Sequence, residues 1–158
     1  MTRKSNFTSS ILFVFLLTTI SVYGQKDTNA TFTKQEKVGN LTIDTFSSFP
    51  PEIEGCSCYF SNNPTELKKE KYIYVNDFAQ TSFLKINGVM SKFTQIEYKK
   101  INKTTIIAKF KSMNYEMIIE VKDEKKSGEE TSIKTGTITL TDKKGNIIMR
   151  NFYGECGC

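Results

Sequence analysis

All four cysteines of this 158-residue chain lie in two short motifs, Glu54-Gly55-Cys56-Ser57-Cys58 and Gly154-Glu155-Cys156-Gly157-Cys158. Side chains two residues apart on a β-strand point to the same side, so one Cys-x-Cys pair can face the other across neighbouring strands. An antiparallel register predicts bridges from Cys56 to Cys158 and from Cys58 to Cys156, although four cysteines permit three pairings. The two motifs therefore indicate that the two ends of one folded unit meet.

The first 24 residues have the pattern of an export signal. Arg3 and Lys4 precede an apolar stretch, Ile11 to Ile20, and we expect cleavage after Gly24. The stretch is shorter than the ~20 residues of a membrane-spanning helix, which favours a removed signal over an uncleaved anchor. The sequence thus predicts a secreted or periplasmic protein without a stable membrane anchor. Such a compartment is oxidising and favours disulfides over free thiols.

The rest of the chain predicts one β domain. Residues 25–37 are polar and lack periodicity, which is typical of a flexible lead-in to a domain over residues 38–158. Short β-rich runs recur through that domain. The predicted strands are Leu41–Thr45, Cys56–Ser61, Tyr72–Asn76, Ser82–Ile86, Val89–Tyr98, Thr104–Lys111, Tyr115–Lys122, Ile133–Thr141 and Ile147–Tyr153. Eight or nine mostly antiparallel strands with joined termini predict an all-β barrel or compact sandwich.

Local signals between the strands predict specific turns. Asn87-Gly88 is a strong two-residue hairpin signal, because both residues tolerate positive φ. Gly145 is expected in the left-handed region of a longer turn. Asn63 and Pro64 predict one or two helical turns over residues 63–69, and the charged segment 122–131 predicts a loop.

The segment Phe49-Pro50-Pro51 precedes the first cysteine pair. Two prolines cannot donate to a central ladder, so we expect an extended strap that covers one barrel mouth. The alternative is an exposed Phe-Pro-Pro element that docks a partner.

The strands and turns between Tyr59 and Tyr153 contain twelve aromatic residues. This number predicts a fully packed interior. Two alternatives are a partly hollow barrel that holds an apolar ligand and an exposed aromatic patch that binds a protein.

Composition argues against several chemistries. The chain has no histidine, which excludes Ser-His and Cys-His nucleophile pairs and imidazole zinc sites. Phosphate-binding glycine motifs are absent as well. Carboxylate pairs such as Glu52 with Glu54 and Glu116 with Glu120 have the chemistry for acid–base catalysis, but on solvated strand faces such pairs are typically solubilising. The sequence predicts a non-enzymatic protein without a cofactor.

The cysteines also support two alternatives. A four-thiolate set of Cys56, Cys58, Cys156 and Cys158 suits zinc or copper(I) by its softness. A strained bridge near the C-terminus suits a thiol redox module. Both depend on thiols that an oxidising compartment tends to bridge.

The charge pattern argues against nucleic acid. The net charge of +5 falls to +3 once Arg3 and Lys4 leave with the signal, and the lysines are scattered singly and in pairs. Such lysines are typical of a solvated face or a protected sheet edge rather than a nucleic-acid groove.

Three stretches carry a resemblance: Glu54–Ser61, Phe83–Gly88 and Tyr153–Cys158. They resemble small uncharacterised exported bacterial proteins with paired Cys-x-Cys motifs, which imply no activity. A small exported barrel tied by disulfides is also distantly similar to periplasmic lysozyme inhibitors, but the chain lacks the C-terminal motif of that family. We therefore expect an exported protein that acts by binding, with an extracytoplasmic protein as its partner. A metal or redox module and a lipocalin-like carrier of an apolar ligand are the alternatives.

Overall fold

Nine strands and one short helix make up the described part of the chain. The computed structural model describes residues 41–158, without the side chains of residues 123 and 124. The elements are β1 (Ile43–Asp44), β2 (Ser57–Ser61), α1 (Pro64–Leu67), β3 (Tyr74–Asn76), β4 (Thr81–Ile86), β5 (Val89–Lys100), β6 (Ile106–Lys111), β7 (Tyr115–Lys126), β8 (Ser132–Asp142) and β9 (Ile147–Gly157). The predicted signal (residues 1–24) and lead-in (residues 25–37) lie outside the described residues.

Strands β2 to β9 close into an eight-stranded antiparallel barrel. The sheet order is β1-β4-β3-β2-β9-β8-β7-β6-β5, and a further pairing of β4 with β5 closes the ring. Strand β1 pairs with β4 beyond the end of β3, where Ile43 lies opposite Ile86. The predicted all-β class is confirmed, and the arrangement is a barrel rather than a sandwich.

Each predicted strand is present, and the bounds differ most at the C-terminal ends of β7 and β9. β7 runs to Lys126, into the segment 122–131 that was expected to be a loop, and Lys126 pairs with Ser132 of β8. β9 continues past Tyr153 to Gly157 because it pairs with β8 on one side and β2 on the other. Backbone pairing does not depend on side-chain polarity, so charged residues continue β7 beyond the apolar pattern.

The predicted helix start is confirmed. Asn63 caps α1 by accepting a hydrogen bond from the backbone N–H of Glu66 at 3.0 Å, and Pro64 occupies the first helical position. In the part of the chain from residue 41 onward, no helix is long and apolar enough to cross a membrane.

The barrel has two ends that differ in filling. At the end formed by the β4–β5, β6–β7 and β8–β9 turns, which we call the filled end, large aliphatic side chains occupy the interior. They are at most 2% exposed: Leu84, Ile86, Met117, Leu140 and Ile148. Leu41 and Ile43 belong to the same core cluster, so the chain before β2 helps to close this end.

The Asn87-Gly88 turn holds that closing segment in place. Its residues have φ values of 48° and 84°, as the hairpin prediction requires. Asn87 Oδ1 accepts hydrogen bonds from the backbone N–H of Thr42 at 2.7 Å and from its hydroxyl at 3.0 Å. Asp44 accepts from the N–H of Gly88 at 2.6 Å. The Asn87-Gly88 turn therefore holds β1 and the residue before it in place at the filled end through side-chain hydrogen bonds.

The strap around Phe49 lies on the outer wall, not over a mouth, so that prediction is wrong. Phe49 packs against Tyr59 and Tyr72, with ring centroids 5.7 and 4.9 Å apart. Together with Phe46 and Ile53 the strap covers Val75 and Phe83, which face away from the interior. Alternation in β3 and β4 gives the wall an apolar outer face, and the strap removes that face from water. Pro50 is buried, Phe49 is half-buried and Pro51 is exposed, so the Phe-Pro-Pro element is not free as a whole for docking.

Candidate functional site: the open end of the barrel

At the other end of the barrel, two disulfides join the chain at the start of β2 to the chain at the end of β9. Cys56 is bonded to Cys158 and Cys58 to Cys156, with Cα atoms 4.0 Å apart in each pair. Cys58 and Cys156 are direct partners in the antiparallel ladder, and Ser57 faces Gly157 between the two bridges. The pairing inferred from strand register is confirmed. The bridges join positions separated by 102 and 98 residues, so they connect distant parts of the chain.

The other sequence-derived candidates do not assemble into a site. All four thiols are bridged, and among residues 41–158 no group of three or more potential ligands is placed to hold a metal. Glu116 and Glu120 lie on the outer face of β7, with lysine ammonium groups 3.6 and 3.8 Å away. Glu52 and Glu54 are exposed on the strap. These carboxylates therefore behave as surface charges.

The barrel interior is hollow beside the Cys58–Cys156 disulfide, which we call the inner disulfide. A cavity of about 510 Å³ opens at the end where the cysteines lie, which we call the open end. Its wall includes residues from β2, β3 and β5 to β9, together with the β3–β4 and β7–β8 turns. The lining residues are Cys58, Phe60, Tyr74, Asn76, Phe78, Ala79, Gln95, Tyr98, Ile106, Ala108, Phe110, Ile119, Val121, Glu130, Ser132, Lys134 and Cys156. The expectation of a fully packed interior is therefore wrong for this half of the barrel.

Stacked aromatic rings form the floor of the cavity. Phe60 stacks on Phe152 with centroids 4.1 Å apart and on Tyr74 at 4.9 Å, and Phe110 meets Tyr74 edge-on at 6.3 Å. Gly154 makes this stack possible, because a Cβ there would clash with the Phe60 ring and the Tyr59 carbonyl oxygen. The rings separate the hollow half from the packed half and present an apolar surface to the cavity.

Burial keeps the floor uncharged. Tyr74 is 1% exposed, and this burial raises the pKa of its hydroxyl far above the usual value of 10.0. The phenol therefore stays neutral throughout the physiological pH range. The floor therefore presents no ionised phenol to the cavity.

The rim of the cavity is more polar than its floor. Asn76, Gln95 and Ser132 contribute uncharged polar groups, while Glu130 and Lys134 contribute charges of opposite sign. Two large aromatic side chains also stand at the rim with much of their surface in water, Phe78 at 50% exposed and Tyr98 at 59%. The cavity thus has an apolar inner part and a mixed outer part.

Bulges shape the strands at this end. The pairing of β5 with β6 shifts between Gln95 and Glu97, and that of β7 with β8 shifts between Val121 and Asp123. Bulges bend a strand and increase its twist, and they are common at barrel rims. Both shifts occur next to lining residues, Gln95 and Val121, and so help to set the width of the mouth.

Sequence reasoning found the cysteines, but it kept a partly hollow barrel only as an alternative and did not locate the cavity. Residue size was a usable signal. Ala108 and Ser132 are small residues at inward positions of the open end, whereas large side chains such as Leu140 and Met117 occupy inward positions at the filled end. Residue size at every inward position, rather than the aromatic count, indicates where a barrel is hollow.

Comparison with known proteins gives no match from which a role can be transferred. No protein-family model matches the chain, and no curated protein or solved structure is significantly similar to it. The resemblance to exported proteins with paired Cys-x-Cys motifs, and the distant one to lysozyme inhibitors, stay predictions.

Proposed function

We propose that this protein is an exported, non-catalytic binding protein that holds a small, largely apolar ligand in the open end of its barrel. The cavity of about 510 Å³ carries the proposal. Ligand sites typically measure about 300–1,000 Å³ and combine an apolar lining with a few polar groups, as this one does. Among the functions considered from the sequence, the apolar-ligand carrier has the most specific structural support.

The arrangement of the lining favours an amphipathic ligand. Phe60, Tyr74 and Phe110 supply the apolar floor, so the apolar body of the ligand enters first. Polar atoms of the ligand then remain near Gln95, Ser132 and the charged groups of the rim, where water is close. Burying a polar group on the floor would cost free energy unless it found a hydrogen-bond partner.

The two disulfides support the exported part of the proposal. Bridged cysteines persist in oxidising compartments and are rare in the cytosol. Recognition of an extracytoplasmic protein remains an alternative, but no described surface favours it as specifically as the cavity favours a small ligand. The metal alternative is weaker, because all four candidate thiolates are used in bridges.

The test is binding of N-phenyl-1-naphthylamine, a neutral apolar fluorophore, to the oxidised protein. We expect saturable fluorescence enhancement with one site per chain. Ala108→Phe places a ring in the cavity and should weaken binding about tenfold or more. Ile107→Phe is the matched control, because Ile107 is the next residue on β6 and belongs to the other face of the strand.

Thermal unfolding of each variant shows whether it is folded. If Ala108→Phe fails to fold, Ala108→Leu fills less space and replaces it, with a smaller loss of affinity in the same direction. No binding by the wild-type protein would overturn the proposal. Equal binding by the wild type, Ala108→Phe and Ile107→Phe would also overturn it, because the fluorophore would then be bound outside the cavity.

A further inference from the structure

Phe78 has an unfavourable backbone conformation and an aromatic ring that the protein only half covers. It lies in the β3–β4 turn with φ = 57°, a left-handed conformation that is unfavourable for a bulky side chain. Its ring is half exposed and also lines the cavity. A turn of this shape accepts glycine or asparagine more readily. An aromatic residue at this position therefore costs the protein both backbone strain and exposed apolar surface.

Neighbouring side chains hold the turn in this conformation. The N–H of Phe78 donates to Asn76 Oδ1 at 3.3 Å. Asp77 Oδ1 accepts from the N–H groups of Ala79 at 2.9 Å and Thr81 at 3.0 Å. Asn76 Oδ1 also accepts from the N–H of Cys58 at 3.0 Å, which ties the turn to the strand that carries the inner disulfide. The position of Phe78 is thus fixed relative to the cavity wall.

We propose that Phe78 is a ligand-contacting residue whose fixed ring covers one side of the apolar body of a ligand seated in the open end. This inference rests on the proposed function and names a residue that determines affinity at the same site. Strained backbone conformations cluster at ligand clamps, where the surrounding structure maintains them. Contact with a ligand would cover the part of the ring that the free protein leaves in water.

The inference distinguishes Phe78 from residues that only shape the cavity. A floor residue such as Phe60 supports the fold through its stacked rings, so its removal would disturb stability and binding together. The half-exposed ring of Phe78 contributes little to the packed interior. Its removal should therefore change binding while the melting temperature stays nearly constant.

The experiment measures N-phenyl-1-naphthylamine affinity, dissociation rate and melting temperature for three variants. Phe78→Ala removes the ring and should raise Kd about tenfold, mainly through faster dissociation, with the melting temperature nearly unchanged. Phe78→Gly removes the ring and also relieves the strained φ. It should bind as weakly as Phe78→Ala and melt at a higher temperature than that variant.

Glu70→Gly is the matched control. Glu70 also has a positive φ, 54°, but it is exposed in the segment after α1 and does not line the cavity. This variant should show the effect of backbone relief without any change in Kd. If the wild type binds and Ala108→Phe does not, while Phe78→Ala keeps the wild-type Kd, the role of Phe78 is refuted and the proposed function stands. If the wild type does not bind at all, the proposed function fails and this inference fails with it.

Discussion

The filled end and the open end of the barrel share the same strands and the same interior face, yet they are stabilised differently. At the filled end, side chains such as Leu140 and Met117 are fully buried, and β1 closes the structure. At the open end, Ala108 and Ser132 leave a cavity, and two disulfides join β2 to β9. The difference shows that residue size at inward positions, not strand number, decides where this barrel is hollow. Covalent bonds supply cohesion where packing is reduced.

Removing both bridges should have the largest effect on this contrast. Replacement of all four cysteines by serine frees loops of about 100 residues in the unfolded chain, and we expect a loss of about 4–5 kcal/mol in the free energy of unfolding. Urea unfolding measures this loss. A four-serine variant within about 1 kcal/mol of the wild type would show that the open end does not depend on its bridges.

A double variant is the matched control for that experiment. Cys58→Ser with Cys156→Ser keeps the Cys56–Cys158 bridge, which still closes the long loop. Most of the stability should remain, because a second bridge adds little once the loop is closed. The same variant separates a structural bridge from a working dithiol. A redox protein would lose activity in this variant while its melting temperature barely changed.

Truncation of one aliphatic side chain at each end should give unequal losses. Leu140→Ala at the filled end creates a new cavity in a packed core and should cost about 2–5 kcal/mol. Ile106→Ala at the open end enlarges a cavity that already exists, and Ile106 is only partly buried, so the cost should be about 1 kcal/mol. Chemical denaturation of both variants checks the difference. Equal losses would contradict the hollow interior.

The smallest expected effect lies in the β8–β9 turn at the filled end. A side-chain hydrogen bond from Asn146 is the main cause that lowers the pKa of Asp142 below its usual 3.8, and backbone N–H groups of Asn146 and Lys144 add to it. Because the folded-state pKa is the lower one, ionised Asp142 stabilises the fold above the unfolded-state value. That contribution is lost as the pH falls through the folded-state pKa.

Asn146→Ala provides the check on this turn. It removes the main cause, so the pKa of Asp142 should rise toward 3.8, as measured by an NMR titration of the carboxyl carbon. The acid-induced loss of stability below about pH 4 should become smaller in this variant. An unchanged Asp142 titration would assign the lowered pKa to the backbone donors instead.

The fold could be predicted from sequence because its signals are local. Alternation in β6 and β7, the Asn87-Gly88 turn and the Asn63 cap each specify a short segment, and the Cys-x-Cys pairs add the long-range constraint that joins β2 to β9. These features together led to the correct class, strand positions and disulfide pairing. The pairing was accessible because register in an antiparallel ladder leaves one geometrically simple choice.

The cavity was not predictable in the same way. Its volume depends on which inward residues from seven strands meet at one level of the barrel, and that level is set by stagger between strands. The position of the strap was misjudged for a similar reason. Phe49 packs against the apolar outer cluster that contains Val75 and Phe83. This outer face forms only when β3 and β4 are paired.

Methyl NMR spectra during titration with N-phenyl-1-naphthylamine test the central claim most directly. The account predicts that methyl signals of Ile106, Ile119 and Val121, which line the open end, shift and saturate together. Signals of Leu84, Leu140 and Ile148 at the filled end should stay nearly constant. Shifts confined to outward-facing Ile118 and Ile147, or the absence of any saturable shift, would contradict a ligand cavity in the open end of this barrel.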